Sequence, residues 1–147
     1  MTSVLYFEDV NEQMPIPVVS KETSSRLSAM WAAASGDFDP IHYDKDFALA
    51  QKLPDIIVNG RLKIALLGQL MTTFMGPRGR LKRLAARHQA MDIVGKPLSC
   101  KGQVTRKYRV QGENLVDCEI WVESPEGEKS STGSATIALP SRKEDPS

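Results

Sequence analysis

The sequence is poor in cysteine. Its 147 residues include only two, Cys100 and Cys118, too few for a disulfide framework and not spaced as a close metal-binding pair. They read as strand thiols kept reduced in a cytoplasm. Net charge is nearly absent: 19 Lys and Arg against 18 Asp and Glu leave +1. No global field therefore draws the chain to nucleic acid or to an anionic membrane. Long apolar runs are missing too. The longest, around Ile64 to Met75, is interrupted by Gln69, Thr72 and Thr73 and cannot span a bilayer. The opening "MTSVLYFEDV" lacks the basic start and the apolar length of a signal peptide, so the expectation is a cytoplasmic location. There is no Gly-rich phosphate loop, no Ser-centred nucleophile elbow and no internal repeat.

What is present suits one globular domain over residues 1–147, with 41% hydrophobic and 25% charged residues and enough length to bury a core. Val4 to Phe7 and Ile16 to Val19 read as extended, and Pro15 and Pro17 demote the second run to an edge strand or a loop. A helix is expected over about Lys21 to Ala34, capped by Ser20 or Thr23 and ended by Gly36, with Leu27, Met30, Trp31 and Ala34 on one face. A short helix follows over Asp44 to Gln51. The main helix opens at Gly60 and runs to Phe74, so apolar around its circumference that it should be buried on nearly all sides. "GPRG" ends it. Leu81 to Met91, Ser99 to Val110, Asn114 to Glu123 and Ser130 to Leu139 then read as strands separated by turn signals. In the third of these, Val116, Cys118, Ile120 and Val122 share a face. Residues 140–147 read as a frayed tail. The fold class is α+β: an antiparallel sheet wrapped around one apolar helix.

The chemistry concentrates in "SGDFDPIHYD", Ser35 to Asp44. Pro40 denies helix to Asp39, so the stretch is a loop. Asp37 and His42 lie five positions apart, a span of roughly 16 Å if extended, but Gly36 and Pro40 bend the path. A carboxylate beside an imidazole makes an acid/base pair near neutral pH. A plain polar turn would also use Asp residues around a proline. A metal site is the weaker alternative, because the only other histidine, His88, sits on an expected strand and the spacing matches no recognised zinc or iron pattern. "NGRL", Asn59 to Leu62, opens the main helix. Its first turn offers unpaired N–H groups, and Gly60 either lets a carbonyl oxygen approach them or permits tight packing. Arg78, Arg80 and Lys82 share one face of the following strand and Arg83 and Arg87 the other, most simply as solvated charges.

These features together resemble the MaoC-like dehydratases, which include the (R)-specific enoyl-CoA hydratases of the hot-dog fold. The family pattern S-G-D-x-N-P-x-H-x-D stands here as "SGDFDPIHYD", and the glycine-led helix as "IIVNGRLKIALLGQL". The resemblance runs from "FEDV" to "ALPS". It implies a sheet curled around the central helix, an overhanging segment carrying the Asp/His pair, and subunits that join sheets edge to edge with active-site tunnels near the interface. It implies Asp37 and His42 as catalytic residues and the Gly60 N–H as the carbonyl donor, with Asn59 and Asp39 among the substrate-binding residues. Trp31, Leu62 and Phe74 are expected as core, with tunnel wall as the second alternative. Three positions depart from the pattern. The usual Asn after the catalytic Asp is Asp39, which either raises a pKa in the pair by like-charge repulsion or turns outward. The usual His before the helix glycine is Asn59. A small hydroxyl residue found inside the helix in some members is Gly68.

The implied reaction is reversible hydration of a trans-2-enoyl thioester to a (3R)-3-hydroxyacyl thioester. No metal and no cofactor is expected beyond the coenzyme A of the substrate, with acyl carrier protein as a second carrier. The expected assembly is a homodimer, or a heterodimer with a related hot-dog subunit. Thioester hydrolysis by a hot-dog thioesterase, and a weakly catalytic or non-catalytic subunit, stand as the rival readings.

Overall fold

The computed structural model describes residues 3–144. Its elements are β1 (Pro15–Lys21), α1 (Ser25–Ser35), α2 (Lys45–Ala50), α3 (Gly60–Met75), β2 (Arg80–His88), β3 (Leu98–Val110), β4 (Glu113–Glu123) and β5 (Lys129–Ala138), with short 3-10 turns before, between and after them. The strands form one antiparallel sheet in the order β1-β3-β4-β5-β2. This is the α+β hot-dog architecture. Period-two alternation sets the inner face. Val116, Cys118, Ile120 and Val122 are all buried on β4, next to Cys100 and Val104 of β3 and Ala135 and Ile137 of β5. Helix α3 contacts every strand of the sheet and buries Leu62, Leu66, Leu67, Leu70 and Met71 against it. Each such side chain stabilises the fold by about 1.5–3 kcal/mol. The surface ion pairs, at about 0–1 kcal/mol each, are minor beside this one helix face. The two cysteines are free and buried, and burial pushes their thiols up to about 11 and about 12.

Several expectations need correction. Helix α3 is not buried on nearly all sides, because Arg61, Ala65, Gln69, Thr72 and Thr73 form an exposed stripe at helical spacing. Helix α1 starts later than expected. Its cap is Ser24, whose Oγ accepts from the Leu27 N–H at 3.1 Å. Ser20 belongs to β1, and the Thr23 hydroxyl donates to the Lys96 carbonyl and accepts from the Gly95 N–H. The buried residues of α1 are Ser28 and Ala32, flanked by half-buried Leu27 and Trp31, whereas Met30 and Ala34 are exposed. Small side chains let the helix back approach closely, which rotates the expected face. Proline does demote β1: it is an edge strand whose register shifts between Ile16 and Val19, at Pro17.

The basic strand also departs from simple alternation. Arg78 precedes β2, and a bulge between Leu81 and Arg83 absorbs Lys82. A bulge resets which side chains point inward, so Leu81, Leu84 and Ala86 pack on the core. Arg80 and Lys82 pair instead with the Glu113 carboxylate. Residues 140–144 are not frayed. The Ser141 hydroxyl donates to Glu8, Arg142 pairs with Asp9, and Pro140 accepts from the Phe7 N–H. Residues 145–147 lie outside the described residues. Among the described residues, no helix is long and apolar enough to cross a membrane.

One polar feature of the core has no counterpart in the sequence reading. Lys63, in the first turns of α3, is buried. Its ammonium donates to Asp92 Oδ2 and to the Ala90 carbonyl, both at 3.0 Å, and the side chains of Lys63 and Asp92 are only 2% and 3% exposed. Breaking a buried pair leaves an uncompensated charge, whereas replacing both partners by apolar groups does not. Asp92→Leu alone is expected to destabilise the fold by about 3–5 kcal/mol. Combining it with Lys63→Met should restore most of that stability, as read by urea denaturation.

Candidate active site

Residues 35–44 are built from side-chain-to-backbone hydrogen bonds. Gly36 ends α1 in the left-handed region, at φ 74°. Ser35 Oγ accepts from the Asp37 N–H, Asp37 Oδ1 from the Asp39 N–H, and Asp39 Oδ1 from the Ile41 N–H, at 3.2–3.3 Å. Pro40 then opens a 3-10 turn to His42, and Asp44 caps α2 through the Phe47 N–H. Asp39 and Asp44 thus serve as caps, a local use typical of short carboxylates.

Asp37 and His42 are tied to the same stretch of chain, the residues that lead into α3. Asn59 Nδ2 donates to Asp37 Oδ2 at 2.9 Å, while Asn59 Oδ1 caps α3 by accepting from the Arg61 N–H at 2.8 Å. His42 Nδ1 lies 2.8 Å from the Ile57 carbonyl. A carbonyl only accepts, so Nδ1 carries the hydrogen, and in the neutral ring Nε2 presents its lone pair. The Ile57 N–H donates back to the Ile41 carbonyl. From the other side, Val58 donates to the Asp92 carbonyl and Val94 to the Ile56 carbonyl. The three residues before Gly60 are therefore held between the overhanging loop and the segment that follows β2.

Of the two alternatives stated for Asp39, like-charge repulsion and an outward turn, the structure has the second. The pKa of Asp37 is not raised by a like charge but lowered. The Asn59 amide is the first cause, followed by the Asp39 N–H, and the charges of His42 and Arg61 add to it. Asp39 is exposed, with Oδ1 engaged in its own turn. Asp37 is an ionised acceptor at neutral pH.

At Gly60 the structure shows close packing. A Cβ on this residue would fall 2.7 Å from His88 Nε2 and 2.8 Å from His88 Cδ2. The glycine makes room for an imidazole of the same chain. The Gly60 N–H, in the first turn of α3, has no hydrogen-bond partner among the described residues. The Lys63–Asp92 pair and His88 were both missed by sequence reading. A lysine inside an apolar helix was a signal for the first; nothing in the sequence pairs His88 with Gly60. Trp31 and Phe74 are half-buried against the core and Leu62 lies within it. At Gly68 there is room for a Cβ, the nearest atom being Leu84 Cδ2 at 3.8 Å. Two grooves on the outer face of the sheet, lined by Glu119, Thr132 and Ser134 and by Thr105, Tyr108 and Asp117, hold none of the site residues.

Comparison with known proteins bears on this arrangement. A family model described as a MaoC like domain matches residues 7–124. No curated protein matches the chain by sequence. Among solved structures, an (R)-hydratase from A. caviae involved in PHA biosynthesis superposes with a TM-score of 0.82, covering 90% of this chain and 99% of its own at 22% identity. The R-hydratase PhaJ1 from Pseudomonas aeruginosa gives 0.85, covering 93% of this chain and 86% of its own, also at 22% identity. A chain of the ChsH1-ChsH2 complex from Mycobacterium tuberculosis gives 0.78, with 88% and 98% covered at 21% identity. At these identities the likeness to solved structures establishes the fold.

The Asn59 bond makes a prediction that does not depend on any activity. Asn59→Ala should raise the titration point of Asp37, and Asn59→Asp should raise it further, since a carboxylate then faces a carboxylate. Carboxyl carbon NMR reads this directly. The lowered pKa means that Asp37 adds stability above the ordinary carboxylate range and loses that contribution as pH falls through its folded value. In both variants the loss should begin at higher pH.

Proposed function

Because the chain belongs to the MaoC-like domain family, we propose that it is an (R)-specific enoyl-thioester hydratase, acting on trans-2-enoyl-CoA and running equally as a dehydratase. The observation that carries this reading is the common tether. An ionised Asp37 and the acceptor-bearing ring of His42 are both fixed to residues 57–59, immediately before an unpaired helix N–H.

In the forward direction one water is held between the Asp37 carboxylate and His42 Nε2. The carboxylate, kept ionised by Asn59, orients the water, and Nε2 takes a proton from it. The water oxygen bonds to the β-carbon. The electron pair of the double bond shifts toward the thioester oxygen, and a proton returned from the imidazolium to the α-carbon completes the (3R)-hydroxyacyl thioester. The Gly60 N–H and the positive end of α3 meet the charge that develops on the oxygen. Losing one such donor costs on the order of 3 kcal/mol in the barrier. No cofactor takes part beyond the coenzyme A of the substrate, with acyl carrier protein as the other carrier of the same thioester. The natural compartment for such a substrate, and for two free thiols, is the cytoplasm.

Asp37→Ala and His42→Ala should fold normally and lose hydration of crotonyl-CoA by at least about a hundredfold. The loss of enoyl absorbance measures the rate, and chiral analysis of the alcohol should return the R product. Near-wild-type turnover in either variant overturns the assignment. Release of free thiol without alcohol makes the chain a thioesterase instead.

The assembly we propose is a homodimer joined at the edge of the sheet, with a heterodimer as the alternative. The outer edge of β2 is unpaired among the described residues, and long unpaired edges favour pairing with a second chain. Sedimentation of the purified chain should give twice the monomer mass together with activity. A monomer that gains activity only with a related subunit supports the heterodimer.

A further inference from the structure

His88 takes no part in the mechanism above, yet its ring lies on the residue that begins α3. The bulge at Lys82 decides this. It sets Leu84, Ala86 and His88 on one face of β2; the first two pack on the core, and His88, at the end of the strand, is exposed. Directly across the strands from His88 stands Ser131, fully buried, with its Oγ 2.8 Å from His88 Nδ1. That contact leaves Nε2 free, and a Cβ on Gly60 would lie 2.7 Å from Nε2, 2.8 Å from Cδ2 and 3.3 Å from Cε1, so Gly60 sits against the face of the ring and the Nε2 hydrogen projects in the ring plane beside it.

We propose that His88 Nε2 is a second hydrogen-bond donor to the thioester oxygen, acting beside the Gly60 N–H. This inference rests on the hydratase reading of the same site. The geometry permits a shared acceptor. A Cβ and the amide nitrogen of one residue are about 2.5 Å apart, so Nε2 lies within about 5 Å of the Gly60 nitrogen. One oxygen at about 2.9 Å from each donor spans that separation. The chemistry fits as well. A neutral ring that accepts the Ser131 hydroxyl at Nδ1 carries its hydrogen on Nε2. Neutrality is favoured by the surroundings: desolvation first, then the Lys63 ammonium, hold the pKa of His88 below its ordinary value, with Asp92 opposing. Ser131 of β5 and Gly60 of α3 lie against the ring, and the charges of Lys63 on α3 and of Asp92 after β2 act on it. A neutral donor polarises the carbonyl without competing with His42 for the water proton.

The test compares wild type with His88→Leu, which fills the space without a donor, and His88→Gln, which keeps an N–H of similar reach. Turnover of crotonyl-CoA is measured together with the carbonyl stretch of bound, isotopically labelled butyryl-CoA, which binds but cannot hydrate. In His88→Leu, kcat is expected to fall on the order of a hundredfold with KM little changed, and in His88→Gln to recover at least about tenfold of that loss. The bound carbonyl stretch should move to higher frequency in the Leu variant and back in the Gln variant. Equal rates for Leu and Gln, or an unmoved stretch, overturn the proposal and leave His88 as a packing group. If His88→Leu fails to fold, Ser131→Ala carries the same comparison, because it frees the ring to the other tautomer. A wild-type chain that binds butyryl-CoA but never turns over overturns the hydratase reading alone, since the stretch still decides the role of His88. A chain that binds no thioester overturns both.

Discussion

A buried ammonium must be met on its N–H groups, and the Lys63 ammonium is met by a single segment, the Ala90 carbonyl and the Asp92 carboxylate. An unmet charge at that depth costs several kcal/mol. The segment after β2 is therefore not free to leave the first turns of α3. The same Asp92 gives its backbone carbonyl to the Val58 N–H, and Val94 binds the Ile56 carbonyl two residues earlier. An isolated bridge joins Ile57 to Ile93. The chain that enters α3 is thus fixed in register by a charge sunk in the core. Because Asp37 and His42 are tethered to that chain, their placement depends on the same ion pair, although neither touches it.

The acidic residues of the overhang illustrate how one chemistry serves two purposes. Asp37, Asp39 and Asp44 each accept a backbone N–H. Only Asp37 also receives a side-chain donor. Asn59 is suited to that task because its amide has two unlike ends: the oxygen caps α3 and the nitrogen reaches Asp37. An aspartate would cap equally well but has no hydrogen for Asp37 when ionised. A departure from the usual family histidine thus gives a fixed, non-titrating donor that keeps the carboxylate charged.

Much of this was legible in the sequence. Alternation on β4 depends on nearest neighbours along the chain, so its inner face could be read directly, whereas the apolar excess of α3 marked the helix but hid its exposed stripe. The Asp37/His42 loop was marked by its residue types, and the turn at Pro40 by the restriction that proline imposes on Asp39. What could not be read depends on register between distant strands. The bulge at Lys82 changes which of the residues after it face inward, and no local pattern announces a bulge. Ser131 meets His88 across 43 residues, and Lys63 meets Asp92 across 29. The small face of α1 was hidden for a different reason. Ser28 and Ala32 have little hydrophobic signal, and they are buried because they are small.

The two histidines show how identical side chains take opposite roles from their partners alone. His42 Nδ1 faces a carbonyl, which can only accept, so its other nitrogen is left as an acceptor. His88 Nδ1 faces a hydroxyl, which can donate, so its other nitrogen can carry the hydrogen. The hydration proposed here would use both characters at once: a lone pair for the proton of the water and a donor for the oxygen that gains charge. Exchanging the partners would spoil both. A serine beside His42 would let the ring choose its tautomer, and a carbonyl beside His88 would leave a lone pair on Nε2 in place of the hydrogen. The division is set by backbone and strand register and needs no difference in composition between the two rings.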